Sequence, residues 1–213
     1  LDNIKVLIPF RYDNPKVRLS LYLKKEEREQ LAISMLSDVL NAIKNAGIED
    51  VTVLLQSITP NNEITEKIEA KVELDNSDLN NAINRRIDKN TAVIVSDLPL
   101  INERILKKFF ETEGDVVISP GRRGGTNMLF VRKKFKVNYH YGSYLKHITI
   151  AKNMDYRVSI FDSFFAGCDI DTPDDLIEVL IHAPNSKTGK FLKKLGFRLV
   201  LEKNPKLIRV MEV

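Results

Sequence analysis

Ser96-Asp97-Leu98-Pro99-Leu100 sets a single carboxylate at the end of a strand-like run, residues 91–96. In open α/β sheets ligands collect beyond the carboxyl ends of the strands, so Asp97 is placed to hold a divalent cation, or equally to cap the helix that follows. Asp169-Ile170-Asp171-Thr172-Pro173 is a second acidic segment. Alternation in an extended stretch turns both carboxylates the same way, and such a pair needs a cation or solvent to neutralise it. Asp174 and Asp175 suit the dipole of a starting helix instead. Asp97, Asp169 and Asp171 together form an all-oxygen set of the kind that holds Mg²⁺ on triphosphate oxygens.

Three further segments carry groups for anions. Pro120-Gly121-Arg122-Arg123-Gly124-Gly125-Thr126-Asn127 combines glycines, which let backbone N–H groups converge, with guanidinium, hydroxyl and amide groups. An ordinary surface turn is the alternative. Tyr141-Gly142-Ser143-Tyr144 opens a helix whose first N–H groups can receive a carboxylate or phosphate, with Ser143 also suited to capping it. The loop after the first strand, residues 11–19, places Lys16 and Arg18 beyond the sheet's carboxyl end, where cations neutralise a triphosphate. Neither G-x-x-x-x-G-K-[ST] nor G-x-G-x-x-G occurs. His140, His147 and His182 form no pattern, and nothing resembles a nucleophile elbow.

The elements that must position these groups alternate. Residues 4–9, 51–55, 71–74, 91–96 and 116–119 are strand-like, while Leu31, Met35, Val39, Leu40 and Ile43 recur at helical spacing up to Gly47. Residues 79–87, behind Ser77 as cap, and 101–110 are also helical. This rhythm predicts βαβ units and a mainly parallel sheet. After residue 120 it changes: residues 128–131 and 135–139 predict an antiparallel insertion around a Lys-rich turn, 142–153 a helix, and 157–161 a strand. Thr172-Pro173-Asp174-Asp175 is a helix start with Thr as cap and Pro in the first turn. Residues 191–195 finish a short helix, and 197–201 with 207–213 form a hairpin around Asn204-Pro205. No internal repeat is present.

The 213 residues suit one domain, 43% apolar and 29% charged, with a net charge of +4. The basic excess favours anionic ligands, but lysines and arginines alternate with acids, as in residues 24–29, which read as a solvated helix face. No basic stripe interleaved with aromatics argues for nucleic acid. No apolar run is long enough to span a bilayer, so a cytoplasmic protein without a membrane role is expected. One cysteine, Cys168, and three histidines cannot build a disulfide or a Cys/His zinc cage, so any metal must take oxygen ligands.

Pro9, Lys16-Val17-Arg18-Leu19-Ser20, Glu26-Glu27-Arg28, Leu79-Asn80, Asp97-Leu98-Pro99-Leu100, Gly124-Gly125-Thr126-Asn127, Gly142-Ser143-Tyr144 and Asp169-Ile170-Asp171-Thr172-Pro173-Asp174-Asp175-Leu176 follow one another in a recognisable order. Over residues 4–181 the chain resembles the 2-phospho-L-lactate guanylyltransferase family of deazaflavin coenzyme biosynthesis. The resemblance implies a Rossmann-like nucleotidyltransferase fold, Mg²⁺, GTP and 2-phospho-L-lactate as substrates, and release of pyrophosphate. It implies Asp97, Asp169 and Asp171 as metal ligands. Gly125, Thr126, Asn127, Gly142 and Ser143 fall to the acceptor acid, and Leu79-Asn80 to the base. Where many members have Pro-x-Lys this chain has Pro9-Phe10-Arg11, so triphosphate contacts fall to Arg11, Lys16 and Arg18, with Lys16, Arg18 and Asp97 as the catalytic set. His140 stands where members often have glycine.

Residues 184–213 form an extension whose apolar hairpin is suited to a homodimer contact or to covering its own sheet edge. The rival readings are a nucleotidyltransferase acting on phosphoenolpyruvate, 3-phosphoglycerate or a sugar phosphate, and a catalytically silent nucleotide-binding regulator.

Overall fold

The computed structural model describes residues 3–56 and 62–210. Its strands are β1 (Lys5–Arg11), β2 (Asp50–Gln56), β3 (Lys71–Leu74), β4 (Thr91–Ile94), β5 (Val116–Pro120), β6 (Thr126–Val131), β7 (Val158–Ile160), β8 (Phe197–Val200) and β9 (Lys206–Arg209). Its helices are α1 (Lys25–Asn45), α2 (Asn62–Glu66), α3 (Leu79–Asn84), α4 (Glu103–Glu111), α5 (Ser143–Asn153), α6 (Phe164–Gly167), α7 (Pro173–His182) and α8 (Lys187–Lys194). β1 to β7 form one sheet in the order β3-β2-β1-β4-β6-β5-β7, parallel except that β6 runs antiparallel to both neighbours. The chain is the mainly parallel α/β protein that the alternation predicts.

Central strands covered by helices on both faces lose water on both sides, so they read as unbroken apolar runs rather than alternating ones. Val6, Leu7 and Ile8 of β1 have no exposed surface, and every residue of β6 is buried. Even side chains of β1 pack on one side with Leu36, Val39 and Ile43 of α1, while Leu7 packs on the other with Ile83 of α3 and Ala151 of α5. α1 begins where Glu27 accepts the N–H of Lys24 at 2.8 Å and ends before Gly47, whose φ of 83° is the left-handed turn a glycine supplies.

The antiparallel element expected after residue 120 is β6, inserted between β4 and β5. Its expected partner at residues 135–139 is not a strand. Phe135 and Val137 point inward as a strand would require, but side chains of two helices take the place of a ladder. Asn84 of α3 accepts from Val137 N–H and donates to Val137 C=O, Asn80 accepts from Tyr139 N–H at 2.6 Å, and His147 of α5 accepts from Asn138 N–H at 3.0 Å. The cap of α3 is Asp78, not Ser77, because Ser77 turns back to donate to Asp75.

The C-terminal hairpin β8–β9 forms as expected up to residue 210; residues 211–213 lie outside the described residues. Phe197, Leu199 and Leu207 pack into a third apolar cluster with α1, α7 and α8, whereas Leu201, Ile208 and Val210 face outward. No helix among the described residues is long and apolar enough to cross a membrane.

Candidate active site

β2 and β4 lie on opposite sides of β1, so the sheet's growth reverses there, and a crevice opens beyond the carboxyl ends of β1 and β4. A cleft of about 780 Å³ occupies it, large enough for a nucleotide. Arg11, Lys16, Arg18, Asp97 and Asp171 line it together with Leu54, Gln56, Leu79, Asn80 and Tyr139. The residues expected to meet a triphosphate and those expected to meet a base thus share one cavity.

The loop after β1 is held in shape from α1. Arg28, which the charge pattern places on a solvated face, is buried: Nη1 donates to Pro15 C=O at 2.5 Å and Nη2 to Asn14 Oδ1 at 2.8 Å. Its position one turn before Leu31 and Ala32 puts it on the apolar stripe, a signal the sequence did carry. Lys16 takes a left-handed φ of 53°, uncommon for a residue with a side chain. That backbone turn sends Nζ inward to Asp97 Oδ2 at 2.5 Å and Asp171 Oδ1 at 2.8 Å, and Arg18 Nη1 reaches Asp171 Oδ2 at 3.0 Å. Burial works to lower the Lys16 pKa, but the two carboxylates overcome it and hold the ammonium above its ordinary value. Burial likewise works to raise Asp171, and Lys16 with Arg18 carries it below the usual carboxylate range.

Asp97 is brought to Asp171 by the main chain as well, since Ile170 N–H donates to Asp97 C=O at 3.1 Å. Asp97 Oδ1 is buried and has no hydrogen-bond partner among the described residues. An orphaned carboxylate oxygen beside a second carboxylate fits an oxygen-seeking cation. Asp169 points elsewhere: its Oδ1 accepts from Asn127 Nδ2 at 3.3 Å and lies 3.6 Å from Arg122 Nε. Among the described residues no three acidic, His or Cys side chains converge as a metal cage. The expected trio therefore appears as a Lys16-bridged pair, Asp97 and Asp171, with Asp169 to one side.

Asp175 does more than serve a helix dipole. It is 2% exposed, accepts the N–H groups of Asp171 and Thr172 at 2.8 and 2.7 Å, and pairs with Arg122 Nη1 at 2.5 Å. Arg122 also donates to Asp169 C=O, so it ties the glycine-rich turn to the acidic segment. Burial pushes the Asp175 carboxyl up, but Arg122 and the two N–H groups bring it below its ordinary value. The spacing Thr172-x-x-Asp175 signals a capping box, and that box is present; its arginine partner, 53 residues away, is not readable from spacing.

Thr126 and Ser143 do meet, with Ser143 Oγ 3.2 Å from Thr126 Oγ1, but neither lines the cleft and each is 4% exposed. Their junction is made by His147, whose Nδ1 lies 3.0 Å from Thr126 Oγ1. Sequence reasoning missed it, although Ser143, His147 and Ala151 recur every four residues on one helix face. Gly142, rather than Ser143, is the N-cap of α5, with φ of 70°. Gly125 ends the turn before β6, and Gly121 has no room for a side chain: a Cβ there would lie 2.1 Å from Asn127 Oδ1. Asn127 is in turn fixed by donating to Ala166 C=O at 3.0 Å.

The family described as "Guanylyl transferase CofC like" matches residues 4–213. The chain belongs to this family. It is 52% identical over 207 residues to the 2-phospho-L-lactate guanylyltransferase of Archaeoglobus profundus, covering 96% of this chain and 97% of that one. It is 47% identical to the protein of the same name from Archaeoglobus fulgidus, with 97% of each covered. The fold is shared more widely. A putative nucleotide-diphospho-sugar transferase from Desulfovibrio desulfuricans superposes with a TM-score of 0.71 at 15% identity, over 91% of this chain and 95% of that one. A nucleotidyl transferase from Methanothermobacter superposes at 0.57 and 11% identity, over 91% and 100%. The nucleotidyltransferase fold that the resemblance implies is present.

Proposed function

We propose that the protein is a 2-phospho-L-lactate guanylyltransferase that transfers GMP from GTP to 2-phospho-L-lactate, giving lactyl-2-diphospho-5′-guanosine and pyrophosphate in deazaflavin coenzyme biosynthesis. The observation that carries this reading is the cleft at the β1–β4 switch point. Its cationic loop faces two linked carboxylates, in a chain about half identical to relatives of that name along nearly their whole length.

In this reading a phosphate oxygen of the acid attacks the α-phosphorus of GTP in line; the new P–O bond forms as the bond to the β-phosphate bridging oxygen breaks, and pyrophosphate departs with that oxygen. Arg11, Lys16 and Arg18 neutralise the departing charge, and Leu79 and Asn80 hold the base. Asp97 and Asp171 would hold Mg²⁺, joined by Asp169 only once its side chain leaves Asn127 and Arg122, and the bound ion would supply positive charge to the phosphate oxygens. Gly125, Thr126, Asn127, Gly142 and Ser143, which lie outside the lining of the cleft, would hold the acid beside it. Asp97 orients Lys16 until substrates arrive. The outward face of the hairpin, Leu201, Ile208 and Val210, is the proposed contact for a homodimer in the cytoplasm, checked by light scattering.

A pyrophosphate-release assay across four nucleoside triphosphates and several phosphorylated acids tests the reaction. GTP with 2-phospho-L-lactate should be the fastest pair. Faster turnover with phosphoenolpyruvate, 3-phosphoglycerate or a sugar phosphate reassigns the acceptor, and GTP binding without turnover on any acid leaves a silent regulator.

A further inference from the structure

His147 has no exposed surface, and its ring is boxed by Phe135 and Tyr139, with centroids 6.0 and 4.9 Å away. Its two nitrogens meet different partners. The backbone N–H of Asn138 lies 3.0 Å from Nε2, and Thr126 Oγ1 lies 3.0 Å from Nδ1. A peptide N–H can only donate, so Nε2 carries no proton. Burial holds the imidazole down at a pKa of about 4, so near neutral pH the ring has one proton, and it sits on Nδ1. The Nδ1–H therefore donates to Thr126 Oγ1.

This settles the polarity of the hydroxyl pair. Thr126 Oγ1 already accepts from His147, and Ser143 Oγ is 3.2 Å away. Two hydroxyls bring two protons; one joins them, whichever way that bond runs, and the other is left over. The opposite tautomer of His147 would set N–H against N–H at Asn138 and leave Thr126 without its donor. With the tautomer that the backbone dictates, the pair has a hydroxyl proton to give to a neighbour.

We infer that His147 is a positioning residue for the acceptor: by making Thr126 its own acceptor, it leaves the Thr126–Ser143 pair as a net donor and tunes this subsite to an anionic oxygen. The inference rests on the proposed placement of the phosphorylated acid at Thr126 and Ser143. A phosphate or carboxylate oxygen only accepts and satisfies the spare proton. An ammonium brings only donors of its own and leaves that proton unmatched. His147 itself touches no substrate and takes no part in bond making.

The test combines kinetics with a direct view of the ring. His147→Phe keeps the aromatic packing but removes both nitrogens, and His147→Asn keeps an N–H near the Nδ1 position. His147→Phe should raise the KM for 2-phospho-L-lactate about five-fold or more, the order expected for loss of one neutral hydrogen bond, and leave that for GTP within about two-fold; His147→Asn should recover part of the loss. Nitrogen-15 NMR of the wild-type protein at neutral pH should show a protonated Nδ1 and a bare Nε2, which keeps the idea testable even if the Phe variant fails to fold. An Nε2–H tautomer or an imidazolium overturns it. So does an unchanged acid KM in His147→Phe when Thr126→Ala and Ser143→Ala both raise it. If those two alanine variants leave the acid's KM unchanged as well, the placement of the acid is wrong and the inference falls with it.

Discussion

The ammonium of Lys16 lies 2.5 Å from Oδ2 of Asp97, a carboxylate 81 residues further along the chain. The same ammonium reaches Asp171 at 2.8 Å, so one cation holds the end of β4 to the segment that precedes α7. A cationic side chain thus stands where two carboxylates would otherwise repel. In the proposed reaction Lys16 and a divalent cation would be alternatives for this position.

Lys16→Met should therefore make the protein's stability depend on Mg²⁺. Without the ammonium, Asp97 loses its paired cation and Asp171 keeps only Arg18, a loss of about 2–3 kcal/mol, less than the ~3–5 kcal/mol of a fully buried pair because both acids keep some solvent contact. Added Mg²⁺ should restore the melting temperature of the variant more than it raises that of the wild type. Equal shifts in both proteins would show that the cation does not bind between Asp97 and Asp171.

Asp97→Asn keeps the shape of the side chain but removes the charge beside the orphaned Oδ1. It should abolish most turnover and cost about 1–2 kcal/mol of stability, because Lys16 keeps one of its two carboxylates, and Asp171→Asn should behave alike. Turnover at limiting Mg²⁺, measured alongside thermal unfolding, separates the two effects. A variant with near-normal rates at low Mg²⁺ removes that residue from the catalytic set.

Base choice follows from the way Asn80 is held. The N–H of Tyr139 occupies its Oδ1 at 2.6 Å, which leaves the Nδ2 donor for a ligand. A fixed donor pairs with the 6-oxo group of guanine and faces the 6-amino donor of adenine unfavourably. Asn80→Asp replaces that donor with an acceptor and keeps the bond to Tyr139. The ratio of kcat/KM for GTP over ATP should fall about ten-fold or more; an unchanged ratio places base reading elsewhere.

Acid should weaken the fold through His147. Its folded pKa is about 4, below the ordinary imidazole value of about 6.5, because burial disfavours the charged ring. Between these values the unfolded chain binds a proton that the folded chain does not, so stability is full above about pH 6.5 and declines toward pH 4, by up to about 1.4 kcal/mol per pH unit. Urea midpoints at pH 7 and pH 5 should differ more for the wild type than for His147→Phe. Asp171 and Asp175, held below the usual carboxylate range, act at lower pH and do not obscure this window.

Much of this was written locally in the chain. The β–α alternation, the helix start at Thr172, and the positions of Asp97 and Asp171 at strand and helix ends all follow from side-chain periodicity and capping chemistry, which act over a few residues. The run at residues 135–139 carried a strand's alternation for the same local reason, since Phe135 and Val137 do face the core. Whether it found a ladder depended on Asn80, Asn84 and His147, which belong to two helices packed from other parts of the chain.

What the sequence by itself determined, then, was the α/β class, the loops that carry charge and the residue types able to hold phosphates. Only the tertiary structure decided which of them meet. It joined Lys16 to Asp97 and Asp171, turned Asp169 toward Asn127 and Arg122, buried Asp175 against Arg122, and set His147 under Thr126 and Ser143. Hydrogen bonds and ion pairs act over about 3–4 Å in space without regard to chain separation. Their partners are therefore chosen by how β1, β4, β6 and α5 stack, and no spacing along the chain records that.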